Sequence, residues 1–215
     1  GNGGYTGGFA KVYEFSSGSW NLRSTTDGDF DGDQLGSSVS LSSDGSTIAY
    51  GAPGTDLIKV KRVGSSSFSQ SIDPTSQGTR YYSDTGIHYF DSSFGNSVSL
   101  SGDGNTVAVG ALLYDSPASQ ISNAVAYEND GVAVIFRRTN SWLTSTGYEV
   151  IGSDIHGAVQ GLNFGTEVVL SSDGNTVAIG SPNAHTGSLH VGTTRVYRYI
   201  DDSWTQLGSF FYGEE

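Results

Sequence analysis

The chain has 215 residues, 22 acidic against 10 basic for a formal net charge of −12, and neither cysteine nor methionine. Disulfides and thiolate metal sites are excluded, and so negative a chain repels phosphate backbones and anionic lipid, which removes nucleic acid from the expected partners. Its 31 glycines and 12 % aromatic content favour many short strands joined by tight turns.

The opening Gly1–Gly8 stretch does not join a strand to a helix and does not read as a phosphate loop. Residues 9–23 read as one hairpin, in which Val12 is followed eight residues later by Trp20 across the polar turn Ser16-Ser17-Gly18-Ser19. The same spacing recurs at Val60/Phe68, Val134/Trp142 and Val196/Trp204, and the aromatic of each pair is expected to anchor a core.

Next comes Asp27-Gly28-Asp29-Phe30-Asp31-Gly32-Asp33. Asp27, Asp29, Asp31 and Asp33 alternate with a glycine at the sixth position, as in the first half of a calcium loop, although Leu35 and Ser38 stand where downstream ligands belong. The expected metal site, if the chain holds Ca2+, is this loop; the plain alternative is a solvated acidic turn.

Three segments then align without gaps: 35–53 (LGSSVSLSSDGSTIAYGAP), 94–112 (FGNSVSLSGDGNTVAVGAL) and 164–182 (FGTEVVLSSDGNTVAIGSP). Each predicts two alternating strands around a Ser-x-Asp-Gly-x-Thr turn, with Val39/Leu41, Val98/Leu100 and Val168/Leu170 on one face. The pairs Asp44-Gly45, Asp103-Gly104 and Asp173-Gly174 predict two-residue hairpins with both central residues at positive φ, which makes these aspartates structural. The opposite face is small (Ser38, Ser40, Ala49; Ser97, Ser99, Ala108), which lets another sheet approach closely.

Strand, Asp-Gly turn, strand, variable loop, strand, polar turn, strand makes a four-stranded antiparallel unit. The fold expected is all-β: about three and a half propeller blades in one repeat region over 1–215, as a half blade at 9–23 and blades at 33–72, 91–146 and 161–208. So few units do not close a ring, so the free blade faces are expected to be covered by neighbouring polypeptide. The chain does not start with methionine and reads as a processed product or a piece of a longer polypeptide.

Two connections are long enough for recognition. One, from Ser69 to Asp91, carries Tyr81, Tyr82, Tyr89 and Phe90; the other, from Leu112 to Asp130, carries Tyr114, Asp115 and Tyr127. These tyrosines and Asp115 are the candidate binding-loop residues, with ordered packing on their own domain as the alternative. His88, His156, His185 and His190 fall in no ligand spacing and read as loop residues. Nucleophilic catalysis has no support, with no cysteine and no Gly-x-Ser-x-Gly elbow.

Phe94-Gly95 and Phe164-Gly165, with Leu35-Gly36 as a variant, and Gly51-Ala52-Pro53, with Gly110-Ala111-Leu112 and Gly180-Ser181-Pro182 close to it, resemble FG-GAP repeats, the blades of integrin α-chain propellers and of bacterial and algal surface proteins. The resemblance implies an extracellular or cell-surface β-propeller without catalytic residues, a module for adhesion or a building block of an assembly or filament. Its implied partners are proteins or other copies of itself, with glycans also open. Calcium-binding members carry an Asp-x-Asp-x-Asp-Gly loop where this chain has Ser-x-Asp-Gly, so blade-by-blade calcium is not expected. The alternative function is a carbohydrate-binding or glycoside-hydrolase propeller, with its acid and base among Asp27 to Asp33, Asp84, Asp91, Asp115 and Asp154. No apolar run approaches 18 residues and no Asn-x-Ser/Thr sequon occurs, so neither membrane insertion nor N-glycosylation is expected.

Overall fold

A computed structural model of the chain describes residues 7–64, 69–72, 92–115, 129–139, 147–157, 162–186 and 189–214. The described chain is all-β apart from a 3-10 turn at Pro53–Thr55. A first hairpin pairs β1 (Phe9–Ser16) with β2 (Ser19–Asp27). Sheet 1 runs in order β3 (Ser38–Leu41), β4 (Thr47–Ala52), β5 (Leu57–Arg62), β6 (Ser69–Ile72). Sheet 2 holds β7 (Phe94–Leu100), β8 (Thr106–Ala111) and β9 (Val132–Arg138), and its outer strand is split into β10 (Tyr148–Val150) and β11 (Ile155–His156). A small hairpin of β14 (His185–Thr186) and β15 (Leu189–His190) precedes the last strands of sheet 3. Sheet 3 itself repeats the plan of sheet 2 with β12 (Glu167–Leu170), β13 (Thr176–Ser181) and β16 (Thr193–Ile200), the outer strand again split, into β17 (Ser203–Gln206) and β18 (Phe211–Tyr212). All named pairings are antiparallel. The units therefore extend past the expected ends at 146 and 208, because the outer strand breaks at Ile151-Gly152 and at Leu207-Gly208 and then resumes.

Side-chain alternation decides how the sheets meet. Ala10 and Val12 pack with Leu35 and with Ile48, Tyr50 and Ala52 of sheet 1. Ile58 and Val60 cluster with Val132, Val134 and Phe136 of sheet 2, and Ala133 and Ile135 cluster with Phe164 and with Tyr197 of sheet 3. Each junction is thus its own apolar cluster, and each fully buried Val, Ile or Phe in it contributes roughly 1.5–3 kcal/mol.

The first strands also bond one another through side chains. Val98 N–H donates to Ser38 Oγ and Leu100 N–H to Ser40 Oγ, both at 2.9 Å. Seventy-one residues apart, Val168 N–H donates to Ser97 Oγ at 3.0 Å and Leu170 N–H to Ser99 Oγ at 2.9 Å. The small face read from the sequence is thus also an acceptor face: its hydroxyls satisfy edge N–H groups of the next sheet. Val39, against which no first strand of another sheet packs among the described residues, is 55 % exposed, against 6 % for Val98 at the same register.

Glycine explains the paired Phe-Gly and Gly-Ala motifs. A Cβ at Gly51 would collide with the Gly95 carbonyl oxygen, and one at Gly110 with that of Gly165. The Gly-Ala of one sheet therefore meshes with the Phe-Gly of the next, whose glycines sit at φ 90° and 86°.

The three Asp-Gly turns are equivalent, but they are five-residue loops rather than two-residue hairpins. Gly45, Gly104 and Gly174 are left-handed at φ 68°, 69° and 68°, whereas none of the aspartates is. Ser42 Oγ donates to Asp44 Oδ1 at 2.7 Å, Asp44 Oδ1 accepts Ser46 N–H at 2.9 Å, and Thr47 N–H donates back to Ser42 Oγ. Ser101/Asp103 and Ser171/Asp173 repeat this closure, a local serine and aspartate bonding that replaces the tight-turn geometry. The turns stack as well, with Ser43 N–H on Gly102 O and Gly102 N–H on Ser172 O, each at 2.8 Å.

Two consequences can be measured by urea denaturation. Ser97→Ala or Ser99→Ala strands a backbone N–H and should each cost about 1–3 kcal/mol, whereas Ser19→Ala on the exposed first turn should lie within about 0.5 kcal/mol of the parent. Gly45→Ala meets open space and should cost only the left-handed penalty of about 1–2 kcal/mol. Gly104→Ala would also press on Thr47 Cβ at 2.8 Å and should cost about 1–3 kcal/mol more; equal losses would contradict the stacking of the turns.

Candidate functional site

The acidic segment folds into a compact turn whose carboxylates do not converge. Asp33 is buried and its Oδ2 accepts the N–H groups of Asp29 and Phe30 at 2.6 and 3.0 Å. Asp29 points the other way, to the buried Lys59 Nζ at 2.8 Å, while Asp27 and Asp31 are exposed. Among the described residues no three His, Asp or Glu side chains gather as a metal site. The cation drawn to this loop comes from β5 of the neighbouring sheet, which fixes the turn leading into Leu35-Gly36.

Of the binding-loop residues, Tyr81, Tyr82, Tyr89 and Tyr127 lie outside the described residues. Tyr114 is not a surface residue: it is 2 % exposed and packs in the cluster between sheets 1 and 2, its ring 5.7 Å from that of His156. Asp115 Oδ1 accepts Asn129 N–H at 2.6 Å and so ties together the two ends of its loop. His156, His185 and His190 stand on strands β11, β14 and β15 rather than in loops, and burial pushes the His156 imidazole down to about 4, so it is neutral at physiological pH.

A polar concavity of about 370 Å3 lies beside the second and third Asp-Gly turns and is lined by Asp103, Asn105, Thr106, Arg137, Arg138, Asp173 and Asn175. Arg137 spans the junction there, donating to Thr106 Oγ1, Gly174 O and Asn175 Oδ1 at 3.0–3.2 Å. The aspartates facing it are held below the usual carboxylate range: for Asp103 net of burial, which raises it, by hydrogen bonds from Ser101 and Asn105, and for Asp173 by Ser171 and Asn175. A general acid at neutral pH needs the opposite displacement.

Sequence reasoning missed the exposed aromatic surface of the first hairpin. The expectation that the spaced aromatics anchor cores holds for Trp204, which is partly buried and donates Nε1–H to Ile151 O at 2.9 Å. Trp20 instead stands 68 % exposed beside Phe15, at 60 %, with Phe9, Tyr13 and Leu22 also exposed. Phe68 and Trp142 lie outside the described residues. Spacing alone carries no signal that distinguishes Trp20 from Trp204, because what differs is the presence of a preceding sheet.

No family model matches the chain, and no curated protein matches it either. Its fold is similar to the crystal structure of a candidate 6-phosphogluconolactonase from Bacteroides uniformis, at TM-score 0.54 and 9 % identity over 98 % of this chain and 50 % of that one. The chain thus spans about half the length of that protein. A functionally unknown protein from Desulfotomaculum acetoxidans (TM-score 0.37, 10 % identity, 94 % of this chain and 63 % of that one) and the Niastella koreensis GH74 enzyme (0.28, 15 %, 82 % and 30 %) match more loosely. At these identities the likeness to the Bacteroides protein is one of fold alone.

The turn aspartates predict a pH dependence. Hydrogen bonds from Ser42 and Ser46 hold Asp44 down to about 2, against an ordinary 3.8. Because the folded value lies below the unfolded one, the stabilisation is complete above about pH 4 and is lost as the pH falls through about 2. Carboxyl-carbon NMR should find Asp44 titrating near the lower value, with Ser42→Ala moving it upward; an ordinary titration in the parent chain would refute the closure.

Proposed function

We propose that this chain is part of a β-propeller displayed outside the cell and acting as a non-catalytic module for adhesion or assembly. The propeller reading is supported by β3, β7 and β12 lying side by side as successive first strands. It is further supported by the same serine bonding at two successive junctions. The observation that carries the module reading is where the apolar surface lies: exposed aromatic and aliphatic side chains gather at both ends of the sheet stack, Phe15, Trp20 and Leu22 on the first hairpin and Ile200, Leu207 and Phe211 on sheet 3, while among the described residues every carboxylate with a resolved displacement is held low rather than raised. An acidic surface with few lysines fits an extracellular setting. Brief trypsin treatment of intact source cells should release peptides of this chain, and recovery only after lysis would refute the surface assignment.

A second reading, a hydrolase, is favoured by the groove around Arg137 and Arg138 and by the description of the Bacteroides protein. The arginines offer a place for an anionic substrate such as a phosphorylated sugar lactone. The module reading expects hydrolysis of 6-phosphogluconolactone at the buffer rate. Acceleration that disappears in Asp173→Asn would replace it with the hydrolase.

A further inference from the structure

The junction between sheets 2 and 3 has an aromatic outer half. Tyr199 and Trp204 are cross-strand partners one step inside the closing pair Ile200/Ser203, with ring centroids 5.2 Å apart. Sheet 2 receives them at three points. The Ile151 carbonyl accepts the indole N–H. Gly152 leaves room for the indole, since a Cβ there would lie 2.7 Å from Trp204 Cδ1. The Arg137 guanidinium lies 5.2 Å from the Tyr199 ring centroid.

Both halves of this arrangement occur again, unfilled, at opposite ends of the described chain. On the first hairpin, Phe15 and Trp20 are cross-strand partners one step inside the closing pair Ser16/Ser19, 5.4 Å apart, and both are exposed. On sheet 3, Arg198 opposes Thr176 as Arg137 opposes Thr106. Leu207 N–H donates to Val196 O as Ile151 N–H donates to Ile135 O, and Gly208 is left-handed at φ 70° as Gly152 is at 69°. Leu207 is 39 % exposed, Arg198 is exposed, and the space over Gly208 is open. The first hairpin presents what sheet 3 presents to sheet 2, and sheet 3 presents what sheet 2 presents to sheet 3.

We propose that these two surfaces are complementary halves of one interface, through which a second copy of this chain docks head to tail: Trp20 of one copy lies over Leu207-Gly208 of the next and Phe15 lies under its Arg198. The contact is heterologous, so it propagates into a ring or a filament rather than stopping at a symmetric dimer. It is built from ring stacking, a cation over an aromatic face and one indole hydrogen bond. Because two copies of charge −12 repel each other, added salt strengthens it. The inference rests on the assembly-module reading for its purpose, but it has its own test, since cell-surface location and hydrolysis can each fail or hold without it.

Sedimentation velocity over a concentration series of the full chain should show growing oligomers, larger at about 0.3 M than at about 0.03 M salt. Trp20→Ala and Arg198→Glu alter exposed side chains, so each variant should keep the parent far-ultraviolet spectrum and, at a dilution where the parent is dissociated, its melting temperature, and each should stay monomeric throughout the series. Mixing the two variants should restore a heterodimer and nothing larger, because one retains a free sheet 3 face and the other a free first hairpin. A parent chain that stays monomeric throughout would overturn the proposal and leave the aromatic face to a different polypeptide. Oligomers that persist in both variants, or variants that fail to pair with each other, would equally overturn it.

Discussion

Where the edge N–H groups of a first strand go decides everything else about how these sheets meet. A first strand bonds its own sheet on one side only, and on the other side Val98, Leu100, Val168 and Leu170 carry donors that would be buried without partners. Leaving such a donor unpaired costs about 1–3 kcal/mol. Serine hydroxyls of the preceding sheet accept all four. For a short serine side chain to reach a neighbouring backbone, the strands must come very close, and the remaining features follow from that approach. Ala49 and Ala108 stay small, and Gly51 and Gly110 leave space for the carbonyls of Gly95 and Gly165.

Each junction therefore has two kinds of contact. Near the first strands it is polar and tightly meshed, and it tolerates almost no change in side-chain size. Further out it becomes apolar, and at the rim of sheets 2 and 3 it is aromatic and cationic, with Arg137 and Trp204 reaching across from one sheet to the other. The inner contact sets register and the outer one adds buried area. The acidic turn before Leu35 belongs to the first kind, because its Asp29 is drawn to Lys59 and its Asp33 to local backbone, which holds the entry to sheet 1 in place.

Most of the fold was legible because the signals that matter recur at constant register. Val-x-Leu alternation, the Asp-Gly pair and the Phe-Gly opening each mark a position that every unit needs. What the sequence hid depends on contacts between units or on chemistry within a turn. Asp-Gly suggested a two-residue turn, yet serine three positions before the glycine closes a longer loop through the aspartate. The resumption of the outer strand at Phe211–Tyr212 follows the break at Leu207-Gly208, which no alternating pattern spans. Tyr114 looked like a loop residue because its burial comes from sheets on either side of it. Trp20 and Trp204 have identical spacing and opposite surroundings.

The third sheet departs from the other two at the positions that carry the serines. Glu167 and Val169 occupy the places of Ser38/Ser97 and Ser40/Ser99, opposite Gly180 and Ala178. Valine offers no acceptor, so a sheet of this repeat type laid on that face would bury one N–H without a partner. The units are therefore not interchangeable as genetic material. A tandem duplication of the first or second unit would carry both serine acceptors with it, whereas a duplication of the third would carry neither serine. A hydroxyl at position 169 would give the third sheet the acceptor that Ser40 and Ser99 supply in the first two.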